Sequence, residues 1–168
     1  MKIGICGMGR AGKDTAAECL RDSFGLRYTH GTSLWAASLV WANLNNRGFN
    51  YQTLGDCYAE RHKYRKEWAE IIGTFNAGEP TRMYRNCLQN QDVLVGLRWK
   101  SEFDACRAAK LCDVWLWISR PNCIDPTCEI LASDCDFVIR NDGTLDEFKA
   151  ELSKWAYPFL ASTARLGG

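Results

Sequence analysis

The chain is poor in net charge, in long apolar runs and in histidine, and each shortage excludes something. Twenty-one lysines and arginines against twenty aspartates and glutamates leave +1 over 168 residues, so there is no broad field to attract nucleic acid or an anionic membrane surface. No apolar stretch approaches the ~20 residues needed to cross a bilayer, and no signal peptide is recognisable at the start. A cytoplasmic protein is expected. Of the 2 histidines, His62 lies in a charged run and reads as a surface residue, so no catalytic histidine is obvious. Internal repeats, low-complexity tracts and linkers are also lacking, and 168 residues suit a single domain over 1–168.

Cysteine is the one abundance. The nine, at 6, 19, 57, 87, 106, 112, 123, 128 and 135, are odd in number and scattered, as thiols of a reducing compartment are. Cys123, Cys128 and Cys135 come nearest to a metal pattern. Their x4 and x6 spacings do not make the paired C-x2-C knuckles of structural zinc, so buried apolar thiols are the expectation.

The densest information lies in MKIGICGMGRAGKDT. The apolar run through Ile3, Ile5 and Cys6 opens into a glycine-rich loop in which Gly7, Gly12 and Lys13 satisfy G-x-x-x-x-G-K. Backbone N–H groups of such a loop converge on a phosphate at a helix N-terminus, and Lys13 adds charge toward the terminal phosphates. Gly7, Gly9, Arg10, Ala11, Gly12, Lys13, Asp14 and Thr15 are therefore candidate contacts for a nucleoside triphosphate. Where most such loops place a serine or threonine on Mg²⁺, this one has Asp14, which can bind the ion, act through its water, or hold a substrate group.

Four apolar runs read as buried parallel strands: 2–6, 93–97, 114–119 and 136–140, with a weaker fifth at 27–30. Helical composition separates them: 13–24, a stretch capped by Thr32 or Ser33 and reaching about Asn43, 57–76, Thr81 to about Leu88, 101–110, and 145–155 behind a Thr144 to Glu147 capping box. Strands alternating with helices give a parallel sheet covered on both faces.

The segment VLVGLRWKSEFDACR resembles the strand of the bacteriophage-type deoxynucleoside monophosphate kinases that runs into Asp-x-Arg, with a Glu four residues after the Arg. The Gly-Lys-Asp-Thr loop ending and CDFVIRNDGTLDEFKAEL are also similar to that family. The resemblance implies a three-layer P-loop kinase fold, α/β, with about five parallel strands, helices on both faces and a short lid over roughly 120–135. It implies Mg²⁺ and ATP as phosphate donor, with small-molecule nucleotides as partners and a homodimer not excluded. Lys13, Arg10, Asp14 and Arg98 take the catalytic roles, Asp14 holding the metal.

Arg98 and Glu102 would serve the acceptor, with Arg61 and Arg65 as a basic wall on one face of the 57–76 helix and Trp35 or Trp99 stacking on its base. Arg120 would reach the triphosphate from the lid. Simpler alternatives are an Arg98–Glu102 surface ion pair, a solvated charge run at RHKYRKE, and tryptophans that are merely core. The chain departs from the resembled pattern at Gly96, where an acid is expected. Either Asp14 carries the metal alone, or Asp92, Glu102 or Asp104 reaches it. A kinase for another small acceptor such as dephospho-coenzyme A, and a catalytically silent nucleotide sensor, are the rival readings. A GTPase-type switch lacks its Asn-Lys-x-Asp motif here.

Overall fold

Uninterrupted apolar residues can be buried on both sides of a sheet only if helices cover both faces. The computed structural model of the chain describes residues 1–164, and the apolar runs form one sheet of four strands: β1 (Ile3–Cys6), β2 (Val93–Val95), β3 (Val114–Ser119) and β4 (Phe137–Arg140). All pairs are parallel and the order is β2-β1-β3-β4, with Ile3 beside Val93 on one flank and Val114 on the other.

Alternate side chains feed two cores. On one face Ile3, Ile5, Leu116 and Ile118 pack with α1 (Lys13–Phe24) and α7 (Leu145–Ala164) through Ala16, Leu20, Phe148 and Leu152. On the other, Cys6, Leu94, Trp115 and Trp117 meet α2 (Thr32–Asn46), α4 (Arg65–Asn76), α5 (Arg82–Cys87) and α6 (Lys100–Ala108). A short α3 (Leu54–Ala59) joins this second layer through Cys57. Trp115 is buried and lies across Gly4, where a Cβ would fall 2.1 Å from a ring carbon. Phe103 closes on it edge-on, ring centres 4.8 Å apart. All nine cysteines are free thiols.

Four expectations need correction. The sheet has four strands rather than five, because 27–30 forms no ladder. That stretch meets the chain before β2 through one backbone bond, Asp92 N donating to Arg27 O at 2.7 Å, and otherwise through side chains: Arg27 N donates to Asp92 Oδ2 at 2.9 Å, and the amides of Thr29 and His30 both donate to Gln91 Oε1. The 57–76 helix is two helices separated by a turn at 60–63. Between Tyr58 and Tyr64 there is no large apolar side chain to hold a helical face, and Lys63 closes the turn on Glu60 at 2.6 Å. A Thr53–Asp56 capping box starts α3 upstream, a Thr-x-x-Asp signal that the sequence reading passed over.

At α2, Gly31 rather than Thr32 or Ser33 holds the N-cap position, and Thr81 caps α5 without an amide bond, its hydroxyl accepting from Arg85 Nε instead. Finally, α7 continues past 155 through Pro158. Trp155 and Phe159 stack at 5.3 Å and both pack on Phe137 of β4, and this aromatic burial outweighs the ~3 kcal/mol that an interior proline costs a helix. The expected Thr144–Glu147 box is present. Among the described residues no helix is long and apolar enough to cross a membrane.

Candidate functional site

Ligands of open α/β sheets bind beyond the carboxyl ends of the strands, and here those ends bring together the loop after β1, Arg98 after β2, Arg120 after β3 and Asn141 after β4. The β1 loop is shaped by contacts that admit no side chain. Gly7 has φ 147° and a Cβ there would lie 2.6 Å from the Ile118 carbonyl oxygen. Gly12 has φ 99° and a Cβ would lie 2.5 Å from Asn141 Nδ2. Asn141, buried at the end of β4, donates from that nitrogen to Ala11 O at 2.7 Å and so fixes the loop from behind. Arg10, exposed, also takes a left-handed conformation at φ 64°.

Lys13 opens α1 and folds back over the loop. Its Nζ donates to the carbonyl oxygens of Gly7 at 2.9 Å and Met8 at 2.7 Å. Burial first, and then the like charge of Arg98, push its ammonium below the ordinary lysine pKa. Two positive groups therefore share the mouth of the loop, an arrangement that favours an anionic ligand between them. Asp14 is exposed on the first turn of α1, and its Oδ1 accepts from the Tyr28 hydroxyl at 2.8 Å. The Tyr28 hydroxyl has its pKa raised by burial and by the Asp14 charge. The stretch that failed as a fifth strand thus supplies the partner of Asp14.

Across from the loop, Arg98 does not pair with Glu102. Its Nη1 donates to Asp125 Oδ2 and, at 2.8 Å, to the Thr127 hydroxyl. Arg65 approaches the other carboxylate oxygen of Asp125 at 3.9 Å. Asp125 Oδ2 also stands 3.0 Å from where a Cβ on Gly9 would be, so this carboxylate lies against the glycine loop. The segment that carries it is held to the site at further points: Glu129 N donates to Arg98 O at 2.8 Å, and Glu129 Oε2 accepts from Lys100 N at the start of α6.

The other residues singled out from the sequence divide. Arg61 does not share a helical face with Arg65, since the turn intervenes; its guanidinium lies 4.0 Å from the Tyr58 ring centre and donates to Tyr58 O. Glu102 is buried, accepting from Asn76 Nδ2 at 2.9 Å and from the Tyr84 hydroxyl. Trp35 is half-buried against Phe75, ring centres 5.6 Å apart, whereas Trp99 is 39% exposed beside Arg98. Arg120 and His62 are exposed. Asp92 pairs with Arg27 and Asp104 with Lys100, Glu102 is buried, and Asp14 alone of these four acids stands on the first turn of α1 behind the glycine loop.

Gly96 has a steric cause. Its φ is +115° and a Cβ would lie 2.3 Å from Thr32 Oγ1, so an acid at this position would collide with the start of α2. Asp125, Asn141 and Tyr28 were not foreseen. Each belongs to a distant part of the chain, and only the isolated acid inside an otherwise uncharged P-N-C-I-D-P-T-C stretch hinted at Asp125. Among the described residues no three His, Cys, Asp or Glu side chains are grouped to hold a metal ion. Searched against known protein families and curated proteins, the chain matches no family model and no curated protein.

Proposed function

We propose that the protein is a P-loop kinase that transfers a phosphoryl group from ATP to a deoxynucleoside monophosphate, giving ADP and the diphosphate. The observation that carries this reading is Lys13 folded onto the carbonyls of a loop in which Gly7 and Gly12 admit no Cβ, with Arg98 bonded to Asp125, whose carboxylate lies against Gly9 of the same loop. Phosphoryl transfer between two anions asks the protein mainly for positioning and charge neutralisation. The loop amides and Lys13 would hold the donor phosphates, while Arg98 and Arg65 would hold the acceptor monophosphate, which is its own nucleophile and needs no base.

Asp14 and Thr15 on the first turn of α1 are hard oxygen donors, which fit a Mg²⁺ that keeps waters and phosphate oxygens as its other ligands. Bound there, the ion would supply further neutralisation of the transferring group. Arg10 in the glycine loop and Arg120 directly after β3 are both exposed and would swing onto phosphates, and Trp99, better exposed than Trp35, would stack on a base.

The test is ADP release from Mg-ATP by purified protein with each deoxynucleoside monophosphate, each ribonucleoside monophosphate and dephospho-coenzyme A supplied separately. Release that depends on a deoxynucleoside monophosphate and is lost in Lys13→Ala is the expected result. Release with dephospho-coenzyme A alone moves the acceptor. Tight ATP binding without release under any acceptor makes the protein a sensor, the reading that the missing acid at Gly96 favours.

A further inference from the structure

Burial is inverted at the centre of the 120–131 segment: Ile124 is 87% exposed while its neighbour Asp125 is 6% exposed. A carboxylate is buried at this depth only when cations and donors replace its water. Asp125 has them, with Arg98 on Oδ2, the amide and hydroxyl of Thr127 on Oδ1 at 3.1 and 2.6 Å, and Arg65 beyond. Of these two arginines, Arg98 acts on the charge of Lys13 and Arg65 reaches the site through Asp125, and the carboxylate that they share lies against Gly9 itself. A carboxylate and a phosphate present the same feature to a guanidinium, a pair of anionic oxygens in a plane. The residue is therefore seated where the anionic group of a ligand would sit, on the partners that the ligand would use.

We propose that Asp125 is a built-in competitor for the phosphate of the acceptor: in the unliganded protein its carboxylate occupies Arg98 and Arg65, and an entering phosphate must displace it. The proposal deepens the reading of Arg98 and Arg65 as acceptor-phosphate groups and rests on it. A halide such as chloride would be refused, because it cannot offer the paired oxygens of the carboxylate to the guanidiniums, while a dianionic phosphate offers them with a higher charge. Departure of the carboxylate would carry Thr127 and Glu129 with it, so the 120–131 segment would rearrange only when a phosphate arrives.

The experiment is calorimetric titration of the full chain with inorganic phosphate, with no nucleotide present, in wild type, Asp125→Asn, Arg98→Gln and the double variant. Removing the resident charge is expected to tighten phosphate binding about tenfold or more, since charge-assisted hydrogen bonds no longer have to be broken. The gain should vanish in the double variant. Equal or weaker binding by Asp125→Asn, a gain that survives without Arg98, or no binding by any variant would each overturn the proposal.

Should Asp125→Asn fail to fold, Thr127→Val decides the matter. It keeps the acid but removes its 2.6 Å donor, and a smaller gain of a few fold is expected, unchanged or weaker binding counting against. Because no turnover is measured, a protein that shows the gain but transfers no phosphoryl group would lose the kinase reading and keep this one.

Discussion

The two walls of the crevice are made of different material. The β1 wall is a contiguous stretch of backbone, Gly7 to Lys13, whose shape follows from two left-handed glycines and a lysine bonded to carbonyls five and six residues back. The opposite wall is built mainly of side chains: Arg98, Arg65, Asp125 and Thr127 meet across sequence separations of 27 and 29 for the two Arg98 bonds alone. The first wall is rigid and sterically defined, so changes to it should act all or none. The second is an exchangeable set of charges, so changes to it should grade affinity.

The sharpest test of the first wall is Lys13→Ala. Transfer should fall by about 10²–10³, the range found on removing one preorganised electrostatic group, while the thermal midpoint stays near wild type because the two carbonyl bonds lost are offset by removal of an ammonium that burial and Arg98 disfavour. A variant with normal turnover would break the assignment of this loop to the donor phosphates. Gly12→Ala comes next. It combines φ 99° with a 2.5 Å approach to Asn141, and should cost about 1–3 kcal/mol in chemical denaturation. Asn141→Ala removes the obstacle but also the bond to Ala11 O, so the steric part is read on that background: Gly12→Ala should cost less there than in the wild type and still cost something, and no cost at all would show that the backbone conformation is free of strain.

Behind the second wall, Tyr84→Phe tests whether Glu102 belongs to the site or to the core. Both Tyr84 and Glu102 are buried, and burial together with the neighbouring carboxylate holds the Tyr84 hydroxyl far above its ordinary pKa. Losing that donor should cost about 1–2 kcal/mol of stability, with the Michaelis constant for the acceptor little changed. A large rise in that constant with stability intact would instead place Glu102 on the ligand.

The same contrast decides what the sequence could reveal. Local patterns carried β3, whose limits of 114 and 119 are those expected, and the Thr144–Glu147 box, because both depend on residues near in the chain. The loop was legible for the same reason. The weaker strand expected at 27–30 does not form because the amides of Arg27, Thr29 and His30 are satisfied by the side chains of Gln91 and Asp92, which no local pattern announces. The 57–76 helix misled because residues at three- and four-residue spacing on both sides of RHK ran together, although nothing apolar bridges the turn. Asp125 lay beyond reach altogether: its role is fixed by Arg98 and Gly9, and only folding brings those to it.

A last and smaller effect follows from the charge that the two walls share. Lys13 sits below its ordinary pKa of 10.5 through burial first and Arg98 second. In the window between that lowered value and the ordinary one the unfolded chain holds the extra proton, so this group makes the unliganded fold more stable as pH rises there. Phosphate binding runs the other way. An anion between Lys13 and Arg98 favours the charged lysine, so affinity should be full below the lowered pKa and decline as pH passes through it, with proton uptake on binding in that window. Titrating phosphate or ATP in two alkaline buffers of different ionisation enthalpy measures the uptake directly. Its disappearance in Lys13→Ala would assign it to this residue, whereas its persistence would locate the titrating group elsewhere and leave the walls without the electrostatic coupling that the lysine's position implies.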